Sequence, residues 1–307
     1  MYYTHKSNGF LGRPRYELMR HMLDGRNMGL IFNRQIVGDF ISHFSVSRDL
    51  ICHGTFYLGN KGQDYLAPLY IYEDDLLSKT GISEIPNFTP DFTAALRSAF
   101  GPKVANLTSE EIFHYLYSVL HSPDYRHRYE EFLKIDFPRV PLTENLELFH
   151  ALARLGGELT ALHLLESPAL EKPRTTFFGS LKQVIEKVSY EAKTVFIDKA
   201  QTTGFEGVPE AVWNFHIGGY QVCEKWLKDR KGRALSDDDI AHYHKIVVAL
   251  AETIRLMAEI DTVILKHGGF PAAFACAPAA TPELQPASKA AQTPDLGHHT
   301  EDELPLT

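Results

Sequence analysis

The residues best equipped for chemistry in this chain of 307 residues are cationic hydrogen-bond donors. Between 225 and 233, Lys225, Lys228, Arg230, Lys231 and Arg233 stand against a single acid, Asp229. Such a cluster raises a local positive potential suited to phosphate oxygens, although a solvated helix end has the same composition. It follows Trp213-Asn214-Phe215-His216 and the pair Gly218-Gly219, where a sharp turn with positive φ is expected. Trp226, inside the basic run, is expected to anchor it in the core. A second set is Asn33-Arg34-Gln35. Arg can bond O6 and N7 of guanine in a fork, and Asn or Gln can do the same with N6 and N7 of adenine. Three such side chains where a strand meets a loop suit the reading of base edges; the plain alternative is a polar loop. Ser45, Ser47 and Arg48 flank the next strand and would line the same groove. Arg13, Arg15 and Arg20 sit at a leading helix, where phosphate clamping and base reading are equally open.

Groups that would do covalent or metal chemistry are not spaced for it. The chain has fifteen histidines. His242 and His244 are two apart on an expected helix, so they point to different faces. His121, His127, His150 and His163 lack Cys or carboxylate partners at ligand spacing. Cys52 and His53 are adjacent, and in a strand they face opposite ways. Pro123-Asp124 and Glu191-Ala192-Lys193 are the pieces a nuclease metal site would need, but they lie far apart in sequence. There is no Gly-x-x-x-x-Gly-Lys phosphate loop, no Asn-Pro-Pro-Tyr-type tetrapeptide and no Gly-rich loop for S-adenosylmethionine. No catalytic residue, metal ligand or cofactor site is assigned.

Composition sets the frame for these groups. Hydrophobic residues make up 44% and charged residues 23%, as in a globular protein with an ample core. No run approaches the roughly 18 apolar residues of a membrane span. The N-terminus has no apolar signal segment. Three separated cysteines, Cys52, Cys223 and Cys276, read as free thiols of a reducing cytoplasm. The net charge of −8 argues against nucleic acid, but it is unevenly spread. Residues 1–60 hold seven Lys/Arg against four acids, and 271–307 hold one Lys against five acids.

The elements that must position the candidates follow from periodicity. Residues 13 to 23 read as a helix opened by Pro14. Strand-like runs follow at 28–31, 43–46, 50–58 and 66–72. Residues 73–107 read as a loop-rich connector with one short helix. Thr108 and Glu111 form a capping box before a helix carrying Ile112, Tyr115, Leu116, Val119 and Leu120. Ser122-Pro123 starts the next helix, and 143–165 continue as helix with a break expected at Gly156-Gly157. Strands are expected at 184–190 and 194–197, and a short helix at 208–215. Ser236 caps the last helix, whose first turn holds Asp237, Asp238 and Asp239. Ile240, Tyr243, Val247, Leu250, Ile254 and Met257 form a seam on a rod of roughly 45 Å, expected to pack on the helices of 108–165. Residues 271–307 turn to Ala, Pro, Thr and acids and read as a disordered acidic tail.

Several stretches together resemble one family. Ile217-Gly218-Gly219-Tyr220 with Lys225-Trp226-Leu227-Lys228-Asp229-Arg230-Lys231-Gly232-Arg233 looks like the C-terminal specificity domain of type ISP restriction-modification enzymes. So do Gly12-Arg13-Pro14-Arg15-Tyr16, Leu120-His121-Ser122-Pro123-Asp124-Tyr125-Arg126 and Phe132-Leu133-Lys134-Ile135-Asp136-Phe137-Pro138-Arg139. Leu162-His163-Leu164-Leu165-Glu166 and Glu252-Thr253-Ile254-Arg255-Leu256-Met257 complete a colinear series over roughly residues 1–265. The resemblance implies a target recognition domain that binds double-stranded DNA. S-adenosylmethionine, ATP and Mg would then serve methyltransferase, nuclease and helicase domains elsewhere, in the same parent polypeptide or a partner chain. The likeness begins at Met1 itself, as expected of a piece or split product of such a protein.

The reading is an α+β fold: a basic β-rich lobe over 1–100, a helical scaffold over 101–270 with a small β element, the basic segment 225–233 and the long helix 236–267. Two other functions remain open, a docking scaffold for partner subunits and a metal-dependent nuclease remnant.

Overall fold

The computed structural model describes residues 19–36, 41–51, 54–56, 64–74 and 82–274, which fall within one compact unit. Of the expected acidic tail, residues 275–307 lie outside these residues, as do Arg13, Arg15, Cys52 and His53, while 271–273 belong to a short helix rather than to a disordered segment. Of the expected leading helix, the described part is α-helical Met19 and the 3-10 turn Arg20–Met22 that follows it.

The first lobe is built on alternation. Strand β1 (Gly29–Asn33) buries every second residue, as does β2 (Phe44–Ser47). They pair antiparallel, Gly29 opposite Ser47 and Phe32 opposite Phe44. β3 (Asp64–Pro68) lies on the other side of β1. The run expected as one strand over 66–72 is in fact two. At Leu69, 3% exposed, the backbone N–H turns to Met28 O at 2.7 Å, and Pro68 before it has no N–H for a ladder. β4 (Tyr70–Asp74) then pairs with β5 (Ile82–Pro86), a strand in what reads from the sequence as loop. Asn27 fixes the switch: its amide donates to His21 O and Tyr70 O, and its oxygen accepts from Tyr70 N.

The helical layer begins with α1 (Pro90–Phe100), capped by Thr89, and a 3-10 turn over Gly101–Asn106. α2 (Ser109–His121) carries the expected capping box: Thr108 Oγ1 accepts from Glu111 N at 3.1 Å and Glu111 Oε2 from Thr108 N at 2.9 Å. Ser122 caps α3 (Pro123–Arg128), and α4 (Glu130–Ile135) follows. α5 (Leu146–His163) runs unbroken through Gly156-Gly157. These glycines do not end the helix. They let its backbone lie against α2: a Cβ on Gly156 would come within 2.6 Å of the His114 carbonyl carbon. Close approach, not backbone freedom, is the use of Gly156.

A second core surrounds a four-stranded antiparallel sheet, β6 (Thr176–Phe178), β7 (Ser189–Glu191), β8 (Thr194–Phe196) and β9 (Gly204–Glu206), in the order β6-β9-β8-β7. The strand expected from Val184 is shorter; Val184 makes only an isolated bridge to Ala234. α6 (Glu210–Trp213) leads into a hairpin of β10 (His216–Ile217) and β11 (Tyr220–Gln221), and then α7 (Val222–Lys228). Gly218 turns the hairpin at φ +56 and packs so tightly on Phe56 that a Cβ would meet its carbonyl oxygen at 2.5 Å. Gly219 N donates to that same oxygen and Gly218 N to Ser42, so the hairpin is fastened to the first lobe.

α8 (Asp237–Lys266) is the long helix, opened by a second capping box between Ser236 and Asp239. Its seam serves two partners. Tyr243, Val247 and Leu250 lie in the small-sheet core, together with Val195, Ile197 and Phe205. Leu256, Ile260 and Ile264 enter the core formed by α2 and α5. The expectation that the whole seam meets the helices of 108–165 is therefore corrected: a rod this long outruns one layer. A short helix, α9 (Gly269–Ala273), closes the described chain and buries Phe270.

Candidate nucleic-acid interface

At the end of β1 the structure separates three neighbours by burial. Asn33 is 1% exposed and its amide donates to Asp64 Oδ1 at 3.3 Å, while Asp64 Oδ2 takes Gly54 N and Thr55 N. Asn33 thus orders the lobe from within. Arg34 and Gln35 are exposed. Arg34 Nε bonds Asp136 Oδ1 at 3.2 Å, and its guanidinium lies 5.5 Å from the Phe137 ring centre. The backbone N–H of Phe137 and then Arg34 hold the Asp136 carboxyl below its ordinary range. Phe137 in turn meets Phe32 and Tyr65 edge-on at 5.9 and 5.1 Å, and those two rings stack on each other. The arrangement is an aromatic-lined groove of about 600 Å³ with an oriented arginine beside it. A preset guanidinium loses less entropy when it forks onto an acceptor.

Ser47 and Arg48 are not brought to that groove. Because β1 and β2 run antiparallel, Ser47 stands opposite Gly29, so the two sets occupy opposite ends of the ladder. Five strand residues put roughly 13 Å between those ends. Ser47 closes a turn with Asp49, and Arg48 forks onto Glu166 at 2.7 and 3.2 Å while also donating to Arg26 O. Ser45 is half-buried and faces a cavity. Arg20 is half-buried, with its Nε enclosed and unpartnered among the described residues.

The basic segment is more neutral than its composition. Lys225 pairs with Asp229 and Lys228 with Glu224, each one helical turn away. Arg230 and Arg233 both reach Asp239, at 3.2 and 3.1 Å. Lys231 is exposed and makes no ion pair among the described residues. Trp226 is half-buried, stacked beside His242 with Arg230 3.5 Å above its ring, as expected of an anchor.

Further cations were not singled out by the sequence. Lys182, Lys187, Lys193 and Lys199 are exposed around the small sheet, with no ion pair among the described residues. Lys193 and Ala192 form the β7–β8 turn with φ of 64 and 47, a left-handed pair that glycine or asparagine usually fills. Residues 172–233 hold eleven Lys/Arg against seven acids, and that count over the whole segment is the signal that would have found them.

Residues 1–259 match the family profile described as the Type ISP C-terminal specificity domain. The chain belongs to this family. Solved structures share the fold of the specificity domain. The ATP-dependent Type ISP restriction-modification enzyme LlaBIII bound to DNA aligns at TM-score 0.56 and 17% identity, over 76% of this chain and 16% of that one. A nuclease-deletion mutant of the Type ISP enzyme LlaGI, in complex with a DNA substrate mimic, gives 0.53 and 19%, over 80% and 22%. A DrdV–DNA complex gives 0.53 and 23%, over 76% and 24%. The chain thus spans less than a quarter of the length of these proteins. No curated protein matches it. No helix among the described residues is long and apolar enough to cross a membrane. Nor do described His, Cys, Asp or Glu residues gather in a group of three or more that could hold a metal. Pro123-Asp124 lies against α8 through Asp261, whereas Glu191-Ala192-Lys193 is the β7–β8 turn of the other core.

Proposed function

We propose that this chain selects a sequence in double-stranded DNA as the specificity module of a type ISP restriction-modification protein. The observation that carries this is the match of residues 1–259 to the specificity domain, joined to a fold shared with proteins whose structures contain DNA. Arg34 and Gln35 are the base readers, since they alone of the 33–35 set stand exposed. Arg48, Arg20, Arg13 and Arg15 contact phosphate, with Ser47 shaping the Arg48 turn. Lys225, Lys228, Lys231 and the lysines of the small sheet supply further phosphate contacts, which position the duplex without reading it. Arg230 and Arg233 hold the segment in place through Asp239, and Asn33 holds the strand end. The module itself carries out no chemistry and takes no cofactor. S-adenosylmethionine, ATP and Mg belong to methyltransferase, nuclease and helicase domains of the parent protein, in the cytoplasm.

The test is selection of the purified chain on random duplex DNA at two salt concentrations, followed by sequencing. One asymmetric motif that persists at the higher salt is expected. Arg34→Ala should then lose about 1–3 kcal/mol of discrimination at one position of that motif. Unselective binding that vanishes with salt would leave only a phosphate-binding surface. Absence of binding would favour the docking scaffold instead.

A further inference from the structure

Where β2, α5, the β10–β11 hairpin and α8 converge lies a cavity of about 150 Å³. Its polar wall holds His121, Arg126, His163 and Thr253; its apolar wall includes Phe215 and Leu250. Arg126 is only 8% exposed. Its Nε donates to Leu120 O at 2.7 Å and its guanidinium lies 5.6 Å from the Phe44 ring centre. No carboxylate is within ion-pair distance of it among the described residues. Asp261, the acid whose field it feels, is already engaged by Ser122 Oγ at 2.5 Å and Asp124 N at 3.1 Å. The bond from Nε is the one hydrogen bond Arg126 makes among the described residues, and the side chain lines the cavity. A buried charge in this condition is costly unless something pairs with it.

The lining side chains offer it no negative charge, and their hydrogen bonds show why. Thr253 Oγ1 donates to Ala249 O, so it must accept from His163 Nε2 at 2.9 Å. With that proton on Nε2, His163 Nδ1 accepts from the Tyr117 hydroxyl at 2.5 Å. His121 Nδ1 donates to Tyr117 O at 2.8 Å. Burial first, then Arg126, pushes His163 down to about 4 and His121 well below its ordinary range. Both rings are neutral near pH 7, and the guanidinium is the one charge among the lining side chains.

We propose that this cavity binds a small carboxylate with a compact apolar body, held by the two Nη groups of Arg126. The planar fork matches two carboxylate oxygens. A phosphate would press oxygens against the largely apolar remainder of the wall, which includes Phe215, Ile217 and Leu250. A cavity of this size takes a six-membered ring. The inference is independent of the DNA-binding reading.

Sodium benzoate is the probe, with benzyl alcohol as its neutral counterpart and sodium chloride at matched ionic strength. Benzoate should raise the melting temperature of the full chain by about 2–5 °C at ten times its Kd. Benzyl alcohol and chloride should not. Arg126→Gln should abolish the rise. Should that variant fail to fold, Ala249→Leu fills the cavity while leaving Arg126 in place, and should abolish it too. An equal rise with benzyl alcohol would reduce the site to an apolar hole, and an equal rise with chloride to a general ion effect. No rise with benzoate, or a rise that survives Ala249→Leu, would overturn the proposal.

Discussion

Replacing Gly156 by alanine should damage this fold more than any exposed substitution, and the reason lies in one carbonyl. An ideal Cβ at Gly156 sits 2.6 Å from the His114 carbonyl carbon and 3.1 Å from its Cα, with the oxygen nearer still. Carbon atoms prefer 3.5–4.0 Å, so α2 and α5 must part locally by about 1 Å. Backbone cannot rotate out of the way as a side chain would. A radial gap of 0.5–1 Å forfeits roughly a quarter to a half of each contact's attraction. The contacts at risk involve fully buried Tyr115, Leu152, Leu155 and Leu159. Overpacking of this kind costs about 1–3 kcal/mol, occasionally more. Alanine returns about 1 kcal/mol of helix propensity, so the net loss should reach about 2 kcal/mol at the upper end of that cost. Gly157 is the internal control. Its Cβ would meet only the His114 ring, at 3.2 Å or beyond, and a ring can yield. Gly157→Ala should be neutral or stabilising by up to about 1 kcal/mol. Urea unfolding of the two variants beside the parent chain decides the matter. Equal midpoints for both would show that the helices do not meet through Gly156.

Burial also sets how this protein should respond to acid. His163 and His43 are buried, and desolvation followed by Arg126 pushes each down to about 4. A folded value below the unfolded one means the unfolded chain binds protons first, so stability is present above about pH 6.5 and is lost as pH falls toward 4. Each should contribute about 2 kcal/mol of loss between pH 7 and pH 5, read as a falling urea midpoint; a flat profile would count against buried neutral rings. Gly218→Ala combines a φ of +56 with a clash on Phe56, and should loosen the hairpin from the first lobe, seen as faster amide exchange at Gly219 and Phe56 neighbours without global unfolding. Thr108→Ala should cost about 1 kcal/mol through loss of the α2 capping box, measurable as a lower melting temperature.

Local rules were legible in the sequence and non-local ones were not. Thr108-Glu111 and Ser236-Asp239 announced helix starts because a cap needs only residues three apart. β5 was hidden because Ile82-Ser83-Glu84-Ile85-Pro86 has few apolar residues, and Ile85 is itself exposed. Gly156-Gly157 misled because a helix breaker and a close-packing contact share one residue type. The candidate site shows the same divide. Residue type nominated Asn33, Arg34 and Gln35 equally, but Asn33 turns inward to Asp64. The partner of Arg34 is 102 residues away and that of Arg48 is 118 away. No window along the chain could have shown that both arginines are tethered.

Those tethers also predict how salt should act on binding. If all five cations of 225–233 met phosphates, they would add about 4.5 to the slope of log K against log salt, at about 0.9 each. Lys225 and Lys228 are held only by exposed one-turn pairs, worth well under 1 kcal/mol, and exchange partners readily. Arg230 and Arg233 differ, because their shared Asp239 is the third residue of α8, bonded back to its cap Ser236, and is mostly shielded. Burial would raise that carboxyl, yet its bonds from Ser236 and Arg230 hold it below its ordinary range, so it stays charged and keeps both arginines. The segment should therefore engage about three phosphates. Replacing Lys225, Lys228 and Lys231 together by alanine should reduce the slope by about 2.7 with little change in melting temperature. Replacing Arg230 and Arg233 should leave the slope nearly unchanged and lower the melting temperature, since Arg230 also covers Trp226. If instead the arginine pair cuts the slope by about two, Asp239 releases them on binding and the segment is a phosphate clamp throughout.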